Sequence, residues 1–245
     1  MDKLWPKKYD EGLMQDLNGT CNMCNKFVTF MAEQPVLRES MRCSNCGSWN
    51  RQRQLVTVLS KWINKDAIVY NTEASRGVHE WLRQQTKHYT CSEYFGPDCV
   101  GGITYNGARH EDLMDLSFES SKFDIVVSSD VLEHVPNWHK ACREVYRVLK
   151  PGGKHIFTVP FCTDRYTIEY LVKFSSIDGS PIFLKSPLYH GDPISSKGAL
   201  VFAIFGLEMM CDLEKMGFHT NIYHLYLPHL GIVGQGSIVF ESIKI

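Results

Sequence analysis

Cys21-x-x-Cys24 and Cys43-x-x-Cys46 stand 18 residues apart. Each pair puts two thiolates on one side of a tight turn, and together they offer the four soft ligands of a tetrahedral Zn2+ ion. Four thiolates leave no position for water, so such an ion is structural. A segment of about 30 residues cannot bury enough apolar surface to fold alone, which makes metal binding its means of folding. Four unrelated buried cysteines, or a redox pair, are the alternative readings.

A second set of chemically able residues ends apolar runs. Glu93 follows the run Tyr89 to Cys91 and lies 20 residues beyond Glu73. An acidic side chain ending the second strand of an α/β sheet can accept both ribose hydroxyls of a nucleoside-bearing ligand. Tyr94 beside it can flank the base. Ser128 and Ser129 end the buried run that starts at Phe123, and small polar residues there leave room for a ligand. A third set is His190-Gly191-Asp192-Pro193. His190 can take the proton of an oxygen nucleophile, with Asp192 orienting it or acting in its place. A Gly-Asp-Pro turn with a packing histidine is the plainer reading. Arg51 and Arg53 read as the solvated start of a helix, with reach to an anionic ligand as the alternative.

These residues need a scaffold, and the hydrophobic pattern supplies one. Leu55, Val58, Leu59, Trp62 and Ile63 recur at helical spacing over 51–64. From residue 67 strands and helices alternate. Strands are expected at Ala67 to Tyr70, Tyr89 to Cys91, Ala108 to His110, Phe123 to Ser128 and His155 to Val159. Val78, Trp81 and Leu82 mark one helix face. Ala141, Val145 and Val148 mark another, stopped at Pro151-Gly152. Alternating strands and helices predict a parallel sheet covered on both faces. Residues 162–198 break the rhythm and read as a long binding loop or lid. A helix carrying Met209, Leu213 and Met216 follows, then two strands, Asn221 to Tyr226 and Ser237 to Ile245. The expected organisation is a zinc-ribbon segment over 1–50 and an α/β domain over 51–245, with 162–198 as a substrate-side insert.

The chain has 245 residues, 44% of them apolar, with 26 basic against 27 acidic side chains. A net charge of −1 gives no global attraction to a polynucleotide. The longest apolar run, Ala199 to Phe205, is too short to cross a bilayer. Met1-Asp2-Lys3 leads into polar sequence without a signal-peptide pattern. The cysteines number nine, and Cys91, Cys99, Cys142, Cys162 and Cys211 fall in core-like segments. An odd count with so many in the core argues for a reducing, cytoplasmic setting over a disulfide scaffold. Oligomeric state leaves no signal.

The run Phe123 to Val135, with Leu132-Glu133-His134 after the strand and Lys150-Pro151-Gly152-Gly153 after the next helix, resembles the centre of the class I S-adenosylmethionine-dependent methyltransferases. That resemblance implies a Rossmann-like, doubly wound, seven-stranded sheet and S-adenosyl-L-methionine as cofactor. It implies that Asn71-Thr72-Glu73-Ala74-Ser75-Arg76-Gly77 is the first donor loop, with Glu73 at the acidic position and Ser75 and Gly77 beside the donor. Only Gly77 remains of a loop usually rich in glycine. Glu111 to Phe118 resembles the family's Asp-x-x-x-Leu-Pro-Phe segment, with Ser117 in place of proline. By that likeness Asp112 accepts from the adenine amino group and the Leu113 backbone lies nearby. Asp112 is equally able to cap a turn. In this family the Glu133-His134 pair more often shapes the loop than acts as a base. Cys43-x-x-Cys46-Gly47-Ser48-x-Asn50-Arg51-x-Arg53, Cys91 to Phe95 and Tyr189 to Pro193 resemble a bacterial-type group of methyltransferase-like proteins with an N-terminal zinc ribbon. Several of these are associated with glycan or secondary-metabolite pathways.

The leading expectation is O-methylation of a sugar or other small metabolite. The aromatic and polar residues Tyr166, Tyr170, Tyr189 and His190 of the insert suit a polyhydroxylated ligand. One competitor is an RNA-base methyltransferase with a zinc ribbon, which needs a basic surface beside its cleft. Another is a non-catalytic scaffold with a degenerate donor site. A dehydrogenase is disfavoured, because no G-x-G-x-x-G run exists to admit a pyrophosphate.

Overall fold

Alternating Val, Ile and Phe residues build the centre of the chain. A computed structural model describes residues 14–175, 179–191, 198–234, 236 and 238–245. The N-terminal unit is an antiparallel sheet of β1 (Leu17–Cys21), β2 (Lys26–Ala32) and β3 (Met41–Cys43). The short helix α1 (Leu37–Ser40) lies between β2 and β3. Helix α2 (Asn50–Leu59) leads into the main sheet. That sheet holds β4 (Ile68–Asn71), β5 (His88–Cys91), β6 (Phe123–Ser129), β7 (Leu149–Thr158), β8 (Phe218–His224) and β9 (Ile238–Lys244). Their order is β8-β9-β7-β6-β4-β5.

β4 runs parallel to β5 and β6, and β6 parallel to β7. β9 is antiparallel to both β7 and β8, so the sheet is mixed where the strand–helix rhythm predicts a parallel one. The last two strands follow each other without a crossover α-helix, as antiparallel neighbours can. The period-2 alternation sorts the core. Ile125, Val127, Ile156 and Val239 face Leu55, Val58 and Leu59 of α2 and Leu82 of α3 (Arg76–Gln85). Val126, Phe157 and Phe240 face Trp138, Ala141 and Val145 of α4 (Trp138–Val148) and Leu213 of α5 (Glu208–Lys215). Asn137 caps α4, its Oδ1 accepting from Lys140 N–H at 3.0 Å.

Among the described residues the main sheet has six strands, one fewer than the resemblance implies. Ala108–Arg109 pairs with Thr104–Tyr105 in a hairpin. The turn between them is Asn106-Gly107, with φ of +49° and +83°. That pair demands a two-residue reversal, which folds the segment onto itself. Only His110 reaches the sheet, through one parallel bridge to Glu93. The insert also differs from the expected irregular loop. Its described part forms two-stranded ladders: Val172–Phe174 with Pro181–Phe183, Tyr189–His190 with Ala199–Leu200, and Glu169–Tyr170 with Ala203–Ile204.

The N-terminal sheet docks on the turn before β9. A Cβ on Gly19 would lie 2.0 Å from the carbonyl oxygen of His229, so only glycine permits this approach. Arg53 is fully buried at the seam. It donates to the carbonyls of Met41, Ser48, Leu230 and Gly231 and lies 4.5 Å from the centre of the Phe30 ring. The solvated reading of Arg53 is therefore overturned. Its fork of donors satisfies carbonyls from two parts of the chain at once. No helix among the described residues is long and apolar enough to cross a membrane.

Candidate functional site

In open α/β sheets, ligands bind beyond the carboxyl ends of the strands where the strand order reverses. Here that point lies between β4 and β6. A cavity of about 370 Å3 opens there, within the range of roughly 300–1,000 Å3 usual for small-molecule sites. The end of β4 contributes Tyr70, Thr72 and Glu73, and the end of β5 contributes Ser92, Glu93 and Tyr94. Asp112, Leu113 and Met114 come from the loop before β6, and Ser129, Asp130 and Val131 from its tip. His134 follows on a 3-10 turn (Leu132–His134), and His190 enters from the insert.

Of the residues expected at the donor, Glu73, Glu93, Tyr94, Asp112, Leu113 and Ser129 line this cavity together. Ala74 N–H donates to Glu93 Oε1 at 2.9 Å, tying the first loop to the second. Asp112 Oδ1 accepts from Met114 N–H at 2.8 Å, so the turn-capping role operates while the side chain borders the cavity. Ser75 and Gly77 do not line it. Ser75 is the residue before α3, and Gly77 faces Met23 of the N-terminal unit. At Gly77 the glycine makes room for this unit. Asp192 lies outside the described residues.

The wall opposite the strand ends is built by residues that no sequence motif marks. Arg38, Glu39 and Trp49 reach the cavity from the N-terminal unit. Arg38 Nη1 donates to Asp130 Oδ2 at 2.7 Å and also pairs with Glu39. Arg51 donates from Nε to Glu39 Oε2 at 2.9 Å and from Nη1 to Ser129 Oγ at 2.6 Å. Arg51 is thus a buried member of a charge cluster, not the solvated helix start expected for it. Two guanidinium groups against Glu39 and Asp130 balance their charges, which burial requires. Burial opposes the Asp130 carboxylate, but Arg38 and then Arg51 override it and hold the group well below the usual carboxylate range. Asp130 has φ of +54°, a rare left-handed conformation held by its contacts to Arg38, Arg51 and Thr158.

Beyond the cluster, Glu133, His134 and His190 converge. Glu133 is fully buried, and burial with Asp130 nearby pushes its carboxyl well above the ordinary value. His134 Nδ1 lies 2.9 Å from the Leu200 carbonyl, and the two histidine rings stand edge to face at 5.1 Å. Burial, and then His134, lower the His190 pKa to about 4.

A separate constellation lies in the N-terminal unit. Cys21 and Cys46 Sγ are 3.8 Å apart, and Cys24 and Cys43 Sγ 4.0 Å. All four lie within 4.8 Å of one another. A tetrahedron with Zn–S bonds of about 2.3 Å has edges of roughly 3.8 Å, so the residues present fit such an ion. None of the nine cysteines forms a disulfide.

Residues 54–157 match the family model described as a methyltransferase domain. Over this stretch the chain is similar to that methyltransferase family. The fold agrees with the crystal structure of an S-adenosylmethionine-dependent methyltransferase from Mesorhizobium loti, which aligns with a TM-score of 0.52 at 16% identity over 80% of this chain and 98% of that one. Among curated proteins, an arsenite methyltransferase of Mus musculus is 39% identical over 101 residues, 41% of this chain and 26% of that protein. A phosphoethanolamine N-methyltransferase of Caenorhabditis elegans is 40% identical over 48 residues, 20% of this chain and 11% of that protein. The chain thus spans only a minor part of these curated relatives.

Proposed function

We propose that this protein transfers a methyl group from S-adenosyl-L-methionine to a hydroxyl of a small polyhydroxylated metabolite such as a sugar. The observation that carries the proposal is that one cavity joins Glu93 and Asp112 at the strand ends to His190 on the insert. Glu93 accepts from the ribose hydroxyls, Tyr94 borders the base, and Asp112 with the Leu113 backbone reads the adenine edge. Glu73 faces the methionine part of the donor. When bound, the donor supplies an electrophilic methyl group. The chain's task is to align an acceptor oxygen with it and exclude water. His190 serves the removal of the acceptor's proton, with Asp192 as its expected companion.

None of the cysteines lines the cavity among the described residues, so no thiol is offered there to a thiophilic substrate such as arsenite. Arg38 and Arg51 are both spent on Glu39 and Asp130, which leaves little free positive charge for a polynucleotide backbone. The four cysteines hold a structural Zn2+ ion that folds the N-terminal unit.

The test is calorimetric titration with S-adenosyl-L-methionine, followed by transfer of labelled methyl from the donor into a small-metabolite extract and into total RNA. Donor binding with label in small molecules is expected. Label in RNA with salt-sensitive binding would replace the substrate class. Absence of donor binding would make the chain a scaffold.

A further inference from the structure

Glu133 is the anomaly of the site. Its side chain is fully buried, and neither carboxylate oxygen has a hydrogen-bond partner among the described residues. Buried polar groups are almost always paired, and an isolated carboxylate is among the costliest exceptions. Two histidines surround it. His134 Nε2 lies 3.7 Å from Glu133 Oε1, and His190 Nδ1 lies 3.9 Å from the same oxygen. One ligand atom from each of the three residues falls within 4.8 Å of the other two.

We propose that Glu133, His134 and His190 form a mononuclear site for a divalent first-row transition metal at the acceptor end of the cavity. The orientation of His134 fits a ligand. His134 Nδ1 donates to the Leu200 carbonyl, which turns Nε2 toward Glu133. A ligating histidine usually donates its other ring N–H to such a partner, which fixes tautomer and ring angle. His190 Nε2 is buried without a hydrogen-bond partner among the described residues. The scaffold is tied together as well. Phe202 N–H donates to the Glu133 carbonyl at 2.7 Å, and His190 pairs in register with Ala199. The turn after β6 and the insert ladder are thereby held at one spacing.

Asp130 is close in sequence but is not a ligand, since Arg38, Arg51 and Thr158 occupy its oxygens. The Arg38–Glu39–Arg51–Asp130 cluster is balanced by itself, so Glu133 is a buried acid outside it, and a bound cation would favour its ionised form. Two imidazoles and one carboxylate select zinc, iron, cobalt or manganese over magnesium and calcium, which demand oxygen ligands. Ligand atoms around a bound ion stand roughly 3.4 Å apart, so the three side chains close by less than about an ångström and a half. Three protein ligands leave open positions, and both histidines border the cavity.

The role of the ion rests on the proposed O-methylation. An acceptor hydroxyl that binds the ion loses its proton to water. Its oxygen lone pair forms the new C–O bond as the methyl–sulfur bond breaks, and that electron pair stays on sulfur as the thioether. His190 then acts as a ligand and not as a free base.

The test uses the zinc-loaded protein titrated with Mn2+ and followed by electron paramagnetic resonance, with Co2+ absorption as a second probe. One ion beyond the zinc of the cysteine site is expected. Glu133→Gln and His190→Ala should each weaken it by about 100-fold or more, while zinc content and the thermal melt report that the variants fold. Failure of the wild-type protein to bind a second ion overturns the site, whatever the variants do. Unchanged affinity in folded variants overturns the ligand assignment. If the ion binds but S-adenosyl-L-methionine does not, the methyl-transfer reading fails and the metal site stands.

Discussion

Arg38 of the N-terminal unit and Asp130 at the tip of β6 are paired through both terminal guanidinium nitrogens and both carboxylate oxygens, across 92 residues of sequence. Removing one partner of a buried pair leaves the other charge exposed to a low dielectric. Arg38→Met should therefore cost about 3 kcal/mol. Adding Asp130→Asn should recover part of that loss. Urea unfolding of the single and double variants checks it, and strictly additive costs would show the pair to be uncoupled.

Zinc removal should reach the donor site, because the same unit that carries the four cysteines carries Arg38, Glu39 and Trp49 into the cavity. Protein purified without chelator should contain about one equivalent of zinc in the cysteine site. Cys43→Ser should lower the thermal midpoint and weaken donor binding together. Normal stability in a metal-free protein would sink the assignment. Intact donor affinity after loss of the unit's fold would show that the cavity does not need this wall.

Glu93→Ala deletes the proposed ribose acceptor and the partner of the Ala74 N–H. S-adenosyl-L-methionine should bind about 1–3 kcal/mol more weakly. Calorimetry reads this directly, and an unchanged Kd would remove Glu93 from the donor site.

His155 sets a pH dependence of stability. It is fully buried beside Ser128 Oγ at 2.9 Å, and burial pushes its pKa down to about 3. The folded value lies below the ordinary value of about 6.5, so the folded state resists protonation. Its contribution is complete above about pH 6.5 and is lost as pH falls toward the folded value, with a limiting slope of about 1.4 kcal/mol per unit. Urea midpoints at pH 7 and pH 5 should fall more steeply for the native protein than for His155→Gln. Parallel slopes would assign the acid limb to other groups.

The sequence makes the sheet legible wherever period-2 alternation is long enough to count, as in Phe123–Ser129. It also carried the signal against a third full strand, since Asn106-Gly107 is a strong hairpin marker that the spacing argument passed over. Ladders of two or three residues in the insert are too short to establish a period. At the site, Glu73, Glu93, Tyr94, Asp112, Leu113, Ser129 and His190 gather because strand ends and the insert meet at the strand-order reversal. Arg38 and Glu39 gave no signal. The Asp130 partner of Arg38 is remote in sequence, and nothing in the local pattern of either residue marks a charge that will be buried. Arg51 and Arg53 differ from expectation for the same reason: a helix start reads as solvated until the surface that covers it is known.

The seam between the two units has a consequence for how the chain is made. Asn50 donates to the Val233 carbonyl, 183 residues later, and Gly19 lies against His229. The cysteine-bearing unit carries all four of its ligands and leaves the ribosome well before the surface it docks on. Until then Phe30, which is fully buried in the finished fold, lacks its cover at Gly231. Contacts of such long sequence separation form late and slowly, and the apolar surface they hide stays open to wrong partners meanwhile. Closure of the ligand cavity therefore waits on residues translated long after the cysteine-bearing unit, and a nascent chain arrested before residue 228 should be unable to complete it.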